Sequence, residues 1–345
     1  MEERRRLLLL IFTLIGMEVG LGNLWRFPYL SLKYGLGFVF FNFVFLLLFG
    51  IPFFVMESSL GVLLRQKYGQ ALERVVGVLS VWPFFANAFV TVYYSVITAW
   101  PVVMVAHVLG LQPDITPVVL VLEWVLAWLV VKKGLNEGIG VVNTVSMVLL
   151  LATFAVLVPY LFLTRPFHLS SFAKSVQPSL PPSALGQVFF SLTLGTGSIY
   201  TFSRLLKRQQ LWKVALTVSL ADFAVSVVAM LFFYLLFSSL PVHVSSADVF
   251  EAVKRLPLFP LLPVAVYVLF FLAGFTSLIS SMESLLENVF DKGERAERVS
   301  VLVVVLGGLS LLLAVLNYFF PVIDLFDYVG ALFILLAAFL MVVLA

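Results

Sequence analysis

Residues 16 to 28, Gly16-Met17-Glu18-Val19-Gly20-Leu21-Gly22-Asn23-Leu24-Trp25-Arg26-Phe27-Pro28, interrupt an apolar run with three polar or charged side chains and three glycines. Few folds accommodate such a stretch. In hydrocarbon every backbone N–H and C=O needs a partner, so unwound backbone at membrane depth persists only where protein buries it or it lines a cavity. The glycines permit unwinding, and Pro28 has no N–H for a helix ladder. A helix broken here exposes carbonyl oxygens from one half and N–H groups from the other, which suits a cation beside a carboxylate. A kinked helix around a packed polar spot is the alternative. Glu18, Asn23 and Arg26 weigh against it, because such groups are costly in a bilayer and concentrate there at functional positions.

That the run lies in a bilayer follows from the rest of the chain. With 62% hydrophobic and 11% charged residues, the 345-residue chain is excluded from the soluble domains. Apolar runs near 7–32, 38–64, 79–109, 117–131, 138–163, 184–206, 213–239, 260–289, 299–318 and 324–345 predict ten membrane helices in one all-α domain. The first run is too long and too polar in its middle for a removable signal peptide. Placing the N-terminus in the cytoplasm gathers Arg4, Arg5, Arg6, Arg65, Lys67, Arg74, Lys132, Lys133, Arg204, Lys207, Arg208, Lys213, Lys292, Arg295 and Arg298 on that side. An even number of helices then returns the C-terminus to it. The absence of cysteine excludes disulfides, thiolate metal sites and cysteine nucleophiles.

A second small-and-polar break, Ser191-Leu192-Thr193-Leu194-Gly195-Thr196-Gly197-Ser198, lies in the sixth run, five helices after the first. Two interrupted helices at corresponding positions point to inverted repeats, here about 7–163 and 184–345, with a binding site between them. The odd number of helices per half makes the halves enter the membrane in opposite senses. In the eighth run Thr276, Ser277, Ser280 and Ser281 present hydroxyls among Phe and Leu. Hydroxyls and free carbonyls are hard neutral donors that suit Na+ better than a transition metal. Back-bonding to their own helix, or helix-to-helix contact, is the other reading. Tyr93 and Tyr94 read as packing aromatics or ligands. Glu57 and Asp222 lie at mid-membrane, where each needs a partner, a proton or an ion. His107, His168 and His243 lie near run ends without metal spacing and read as solvated. Outside the membrane, 164–183 is rich in Ser and Pro, and Ser245 to Arg255 predicts a short lid helix. No phosphate loop, nucleophile elbow or zinc-binding helix is present, which argues against an enzyme.

These residues fall into a known order. Gly20-Leu21-Gly22-Asn23-Leu24-Trp25-Arg26-Phe27-Pro28-Tyr29 resembles the first-helix signature of the neurotransmitter:sodium symporter family, whose members have the LeuT fold. Gly50-Ile51-Pro52 with Glu57 and Gly61 resembles the second helix, and Tyr93-Tyr94 with Trp100 the third. Gly186 to Gly195 resembles the sixth, Ala273-Gly274-Phe275-Thr276-Ser277 the eighth, and Asp324 with Asp327 the start of the tenth. The resemblance implies a sodium-coupled transporter with an all-α, ten-helix LeuT-like fold, broken first and sixth helices and a 5+5 inverted repeat. One sodium site would use backbone oxygens of Gly16, Val19 and Ala273 with the hydroxyls of Thr276 and Ser277. A second would use the carbonyl at Glu18 with Asn23, Ser191 and Asp222, unless Asp222 instead holds the acidic position that replaces chloride in bacterial members. Chloride is not expected. A substrate carboxylate would meet the backbone amides of Leu21 and Gly22 and the Tyr94 hydroxyl. Gly20, where amine-selective relatives carry Asp, favours an amino acid. Met17, Val90, Phe190, Thr193, Thr196, Ser277 and Ser281 would complete the pocket, and their hydroxyls favour a small or polar substrate. Phe190 would be the outer lid and Arg26 with Asp327 the external gate. Asp291 with Arg5 or a neighbouring Arg would form the inner gate, and Glu57 would be a structural acid.

The sequence also departs from the family. It stops after ten helices where most members have about twelve, so a monomer or weak homo-oligomer is expected in the cell membrane, with an amino acid and the lipid bilayer as partners and no nucleic acid. Glu18 is the sharpest departure. Glu18, Asp222 and a substrate carboxylate around one Na+ would leave uncompensated charge in low dielectric. Glu18 is then protonated, meets a cationic substrate group, or displaces the second sodium; bonding to backbone amides of the broken helix is the plainer role. A non-transporting binding sensor or an inactive homologue is the alternative function.

Overall fold

The computed structural model describes residues 2–111, 114–166, 174, 176–237, 248–290 and 293–344. The first run folds as a broken span. α1 (Glu2–Glu18) stops at Glu18, and helix resumes in a π-helical turn at Gly22–Arg26 that passes into α2 (Phe27–Tyr34). The two halves are bent by 49°. α3 (Leu36–Phe45) and α4 (Ile51–Leu64), joined through a π-turn at Leu46–Gly50, make the second span. The remaining spans are α6 (Trp82–Val108), α7 (Thr116–Val131), α8 (Gly140–Thr164), α9 (Leu180–Ser191) with α10 (Ser198–Ser203), α11 (Leu211–Phe237), α13 (Leu261–Val289), α14 (Arg295–Phe319) and α15 (Ile323–Leu344). Among the described residues seven helices are long and apolar enough to cross a membrane, and the bent first pair makes an eighth. The other two expected spans fall short for visible reasons. α7 has only 16 residues, and the sixth span is divided into pieces of 12 and 6.

Two short helices lie outside the spans. α5 (Tyr68–Val76) was not anticipated: it buries Tyr68, Ala71 and Leu72 at i, i+3 and i+4, but its other face is polar, so no hydropathy window reveals it. α12 (Asp248–Val253) falls within the expected lid segment. Its Phe250 packs on Trp25 and Trp100, with ring centroids 6.4 and 5.9 Å away. His168 and His243 lie outside the described residues.

α6 and α13 pack along one another through the centre of the bundle. Around them the pairings recur after a shift of five spans. α1 packs on α8 as α9 packs on α15, and α11 packs on α1 and α2 as α3 and α4 pack on α9 and α10.

The sixth span unwinds between Ser191 and Ser198, with positive φ at Thr193 (44°), Gly195 (79°) and Gly197 (81°). At Gly195 a Cβ would sit 2.4 Å from the backbone nitrogen of Ala338, so both the torsion and the contact require glycine. Two amides at this break share one acceptor. Glu57, fully buried on α4, accepts from Gly195 N–H at 2.8 Å and from Tyr200 N–H at 3.2 Å.

Candidate functional site

The first break is held by side chains from several helices. Gly20 N–H donates to Asn23 Oδ1 at 3.0 Å, and Leu21 N–H donates to the Tyr94 hydroxyl at 2.7 Å. The Gly22 carbonyl accepts from Gln187 Nε2 at 2.9 Å, and the Met17 carbonyl from Ser277 Oγ at 2.8 Å. Each group named here thus has a partner, the Gly22 carbonyl a second one in Phe27 N–H, as buried backbone requires. Gly20 permits the approach, since a Cβ there would lie 2.3 Å from both Ser277 Oγ and the Tyr94 hydroxyl.

Asn23 turns its amide towards α9 and α11. Its Nδ2 lies 2.6 Å from Asp222 Oδ1, 2.8 Å from Ser226 Oγ and 3.2 Å from Ser191 Oγ. Ser191 Oγ in turn donates to the Asp222 carboxylate at 2.8 Å. Asn23, Ser191 and Asp222, expected to share an ion site, therefore form one cluster. Among the residues of the other expected site, Thr276 Oγ1 bonds back to the Ala273 carbonyl at 2.7 Å, while Ser277 reaches across to α1. Val19 N–H still bonds to Ile15 at 2.8 Å, at the last turn of α1, and Gly16 lies against Asn143 of α8.

Met17, Glu18, Gly22, Val90, Tyr94, Phe190, Thr193, Thr196, Ser277 and Ser281 line one cavity. Gly20 and Leu21 stand behind its wall through their contacts with Tyr94 and Ser277. Glu18 is 3% exposed, and its carboxylate accepts from Thr193 Oγ1 at 3.1 Å. Among the described residues it has no ion-pair partner. Thr196 donates to the Thr193 carbonyl at 2.7 Å, bracing the second break beside the cavity.

Above the cavity Arg26 Nε pairs with Asp327 at 2.9 Å. Its NH1 donates to Gln187 Oε1 at 2.6 Å, and its guanidinium lies 5.0 Å from the Phe190 ring centroid. On the opposite side Arg204 meets Glu287 at 3.3 Å, and Arg295 meets Glu283. The expected Asp291 and the Arg5 side chain lie outside the described residues.

Sequence reasoning missed Asn87, Thr91, Leu278 and Ile334 in the cavity lining. Asn87 and Thr91 precede Tyr94 by seven and three residues on one face of α6, a spacing that could have flagged them. Gln187 stood in the sixth-helix motif without a role. Glu123 of α7 was also passed over; it is 1% exposed and neither carboxylate oxygen has a hydrogen-bond partner among the described residues.

Known proteins resemble this arrangement. The model of the Sodium:neurotransmitter symporter family matches residues 3–113. The "Uncharacterized sodium-dependent transporter YhdH" of Bacillus subtilis (strain 168) is 28% identical over 343 residues, covering 84% of this chain and 72% of that protein. The "Sodium-dependent neutral amino acid transporter B(0)AT2" of Mus musculus is 28% identical over 290 residues, covering 64% of this chain and 38% of its own length. Among solved structures, that of MhsT in complex with L-phenylalanine superposes with a TM-score of 0.83 at 21% identity, covering 97% of this chain and 87% of MhsT. At that identity the likeness establishes the fold, an all-α membrane bundle of LeuT type.

Proposed function

We propose that the chain is a member of the sodium:neurotransmitter symporter family and a sodium-coupled symporter of an amino acid, small or polar in its side chain. One observation carries this reading: the Leu21 amide and the Tyr94 hydroxyl meet at 2.7 Å on unwound backbone beside a buried cavity. Both can donate to a carboxylate, and Gly20 lets the Tyr94 hydroxyl come this close to the unwound backbone. The B(0)AT2 and MhsT likenesses support an amino acid as the cargo.

Sodium is the co-transported cargo at one or two places. The oxygens of Gly16, Val19, Ala273, Thr276 and Ser277 would hold one ion with neutral donors. Asn23, Ser191 and Asp222, with the Glu18 carbonyl, would hold a second, and the Asp222 carboxylate supplies negative charge there without chloride. Met17, Glu18, Val90, Phe190, Thr193, Thr196, Ser277 and Ser281 surround the substrate. The two halves, about 7–163 and 184–345, act as inverted repeats, a reading supported by helix pairings that recur after five spans. Arg26, Asp327 and Phe190 close the outer side. Sodium stabilises the outward-open state and substrate permits closure, so each shifts the equilibrium through its differential affinity.

The protein acts in the cell membrane, with Arg65, Lys67, Arg204, Lys207, Arg208, Arg295 and Arg298 on the cytoplasmic face together with both ends of the described chain. The test is uptake of labelled amino acids by proteoliposomes. An inward sodium gradient accelerates uptake of at least one of them; uptake indifferent to Na+ at every pH sinks the proposal.

A further inference from the structure

Asn87, Thr91 and Tyr94 stand at i, i+4 and i+7 on α6, and all three line the cavity. Tyr94 is engaged by the Leu21 amide, and Thr91 Oγ1 donates to the Asn87 backbone carbonyl at 2.7 Å. The Asn87 side chain is different. It is 3% exposed, its NH2 has no hydrogen-bond partner among the described residues, and its amide oxygen has only a long 3.4 Å contact from Thr91 Oγ1. An amide buried in that condition is costly, and a native cavity that retains one has a use for it. Val90, Leu278 and Ile334 of the same lining have no side-chain hydrogen-bonding atoms to offer.

We propose that Asn87 determines specificity by hydrogen-bonding a neutral hydroxyl or amide on the side chain of the transported amino acid. The inference rests on the amino-acid symport reading above. A half-turn of the Asn87 amide exchanges its donor and acceptor edges, and a hydroxyl or amide satisfies either edge because it both donates and accepts. An aliphatic side chain leaves Asn87 unpaired. A carboxylate side chain adds negative charge to a cavity that already contains Glu18. The spacing is compatible: seven helical residues rise about 10 Å, and Tyr94 leans back towards the N-terminal end of α6, so a short side chain bridges the gap.

Purified protein in sodium buffer, titrated with asparagine against leucine and threonine against valine, tests this by affinity and thermal stabilisation. The amide or hydroxyl member of each pair binds about tenfold tighter or more. Asn87→Leu abolishes or reverses that preference, whereas Asn87→Ser keeps it and serves if the leucine variant does not fold. Equal affinities within both pairs, or a preference unchanged in Asn87→Leu, overturn the inference and leave symport standing. Tightest binding of lysine or arginine also overturns it, and directs attention to Glu18 instead. If no amino acid binds in the presence of sodium, the symport reading falls and takes this inference with it.

Discussion

The two broken spans face the same loss of backbone hydrogen bonds and replace them with different chemistry. At the first break Asn23, Tyr94, Gln187 and Ser277, all neutral, meet the freed groups one at a time from four elements. At the second break a single carboxylate, Glu57, takes two amides. Neutral hydroxyls and amides bond weakly enough to be exchanged for an ion or a substrate carboxylate. Glu57, fully buried and holding two N–H groups, does not line the cavity. The two breaks are joined through Asn23 and Ser191, and both line the cavity, the first with Met17, Glu18 and Gly22 and the second with Thr193 and Thr196, while Glu57 anchors the second from behind.

The largest effect should come from removing the anchor. Glu57→Ala leaves the Gly195 and Tyr200 amides unpaired in a dry interior, for a destabilisation of about 3 kcal/mol or more, read as a large fall in melting temperature in detergent. Glu57→Gln should recover part of it. A melting temperature untouched by Glu57→Ala would break the comparison at its root.

Gly20→Ala probes the other side. The added Cβ meets the hydroxyls of Ser277 and Tyr94 at 2.3 Å and the Ser277 Cβ at 3.2 Å, so sodium-dependent amino-acid binding should be lost while the melting temperature without substrate falls less than in Glu57→Ala. Equal damage to stability and binding would erase the distinction between a ligand face and an anchor.

The smallest effect on binding belongs to the Arg26–Asp327 pair, which reaches the cavity through Gln187 and Phe190. The Arg26 and Asp327 side chains are 8% and 17% exposed. Asp327→Asn leaves the largely buried Arg26 charge without its carboxylate, which should slow uptake in proteoliposomes and leave equilibrium substrate affinity within about threefold of wild type. A collapse of affinity would place Asp327 in the site rather than above it.

Much of the site was legible because membranes make polar residues conspicuous. Glu18, Asn23, Glu57 and Asp222 stand out from apolar runs, and the glycines around them mark where backbone must unwind. Ten of the residues expected around the substrate do meet in one cavity. Asn87 and Thr91 escaped notice because single Asn and Thr residues in a helix are ordinary, and only the packing of α6 against α13 and α15 places them in the lining. Gln187 escaped because a glutamine that bonds a backbone carbonyl leaves no pattern in the chain. α5 escaped because nine residues with one buried face are too short for a hydropathy signal.

The chain alone, then, determined the solvent, the spans and the two points of rupture, since each follows from local composition against hydrocarbon. Which partner each ruptured group found was decided only in three dimensions. Asn23 and Asp222 are 199 residues apart, and Arg26 and Asp327 are 301 apart. Hydrogen bonds of that reach depend on how helices cross, and no local pattern encodes the crossing. The carboxylate of Glu18, read first as an anomaly of charge, is in the fold a cavity wall group bonded to Thr193 of the opposite break. Its neighbourhood is a property of the packed bundle, because the two breaks become one site only when α1 and α9 are brought together.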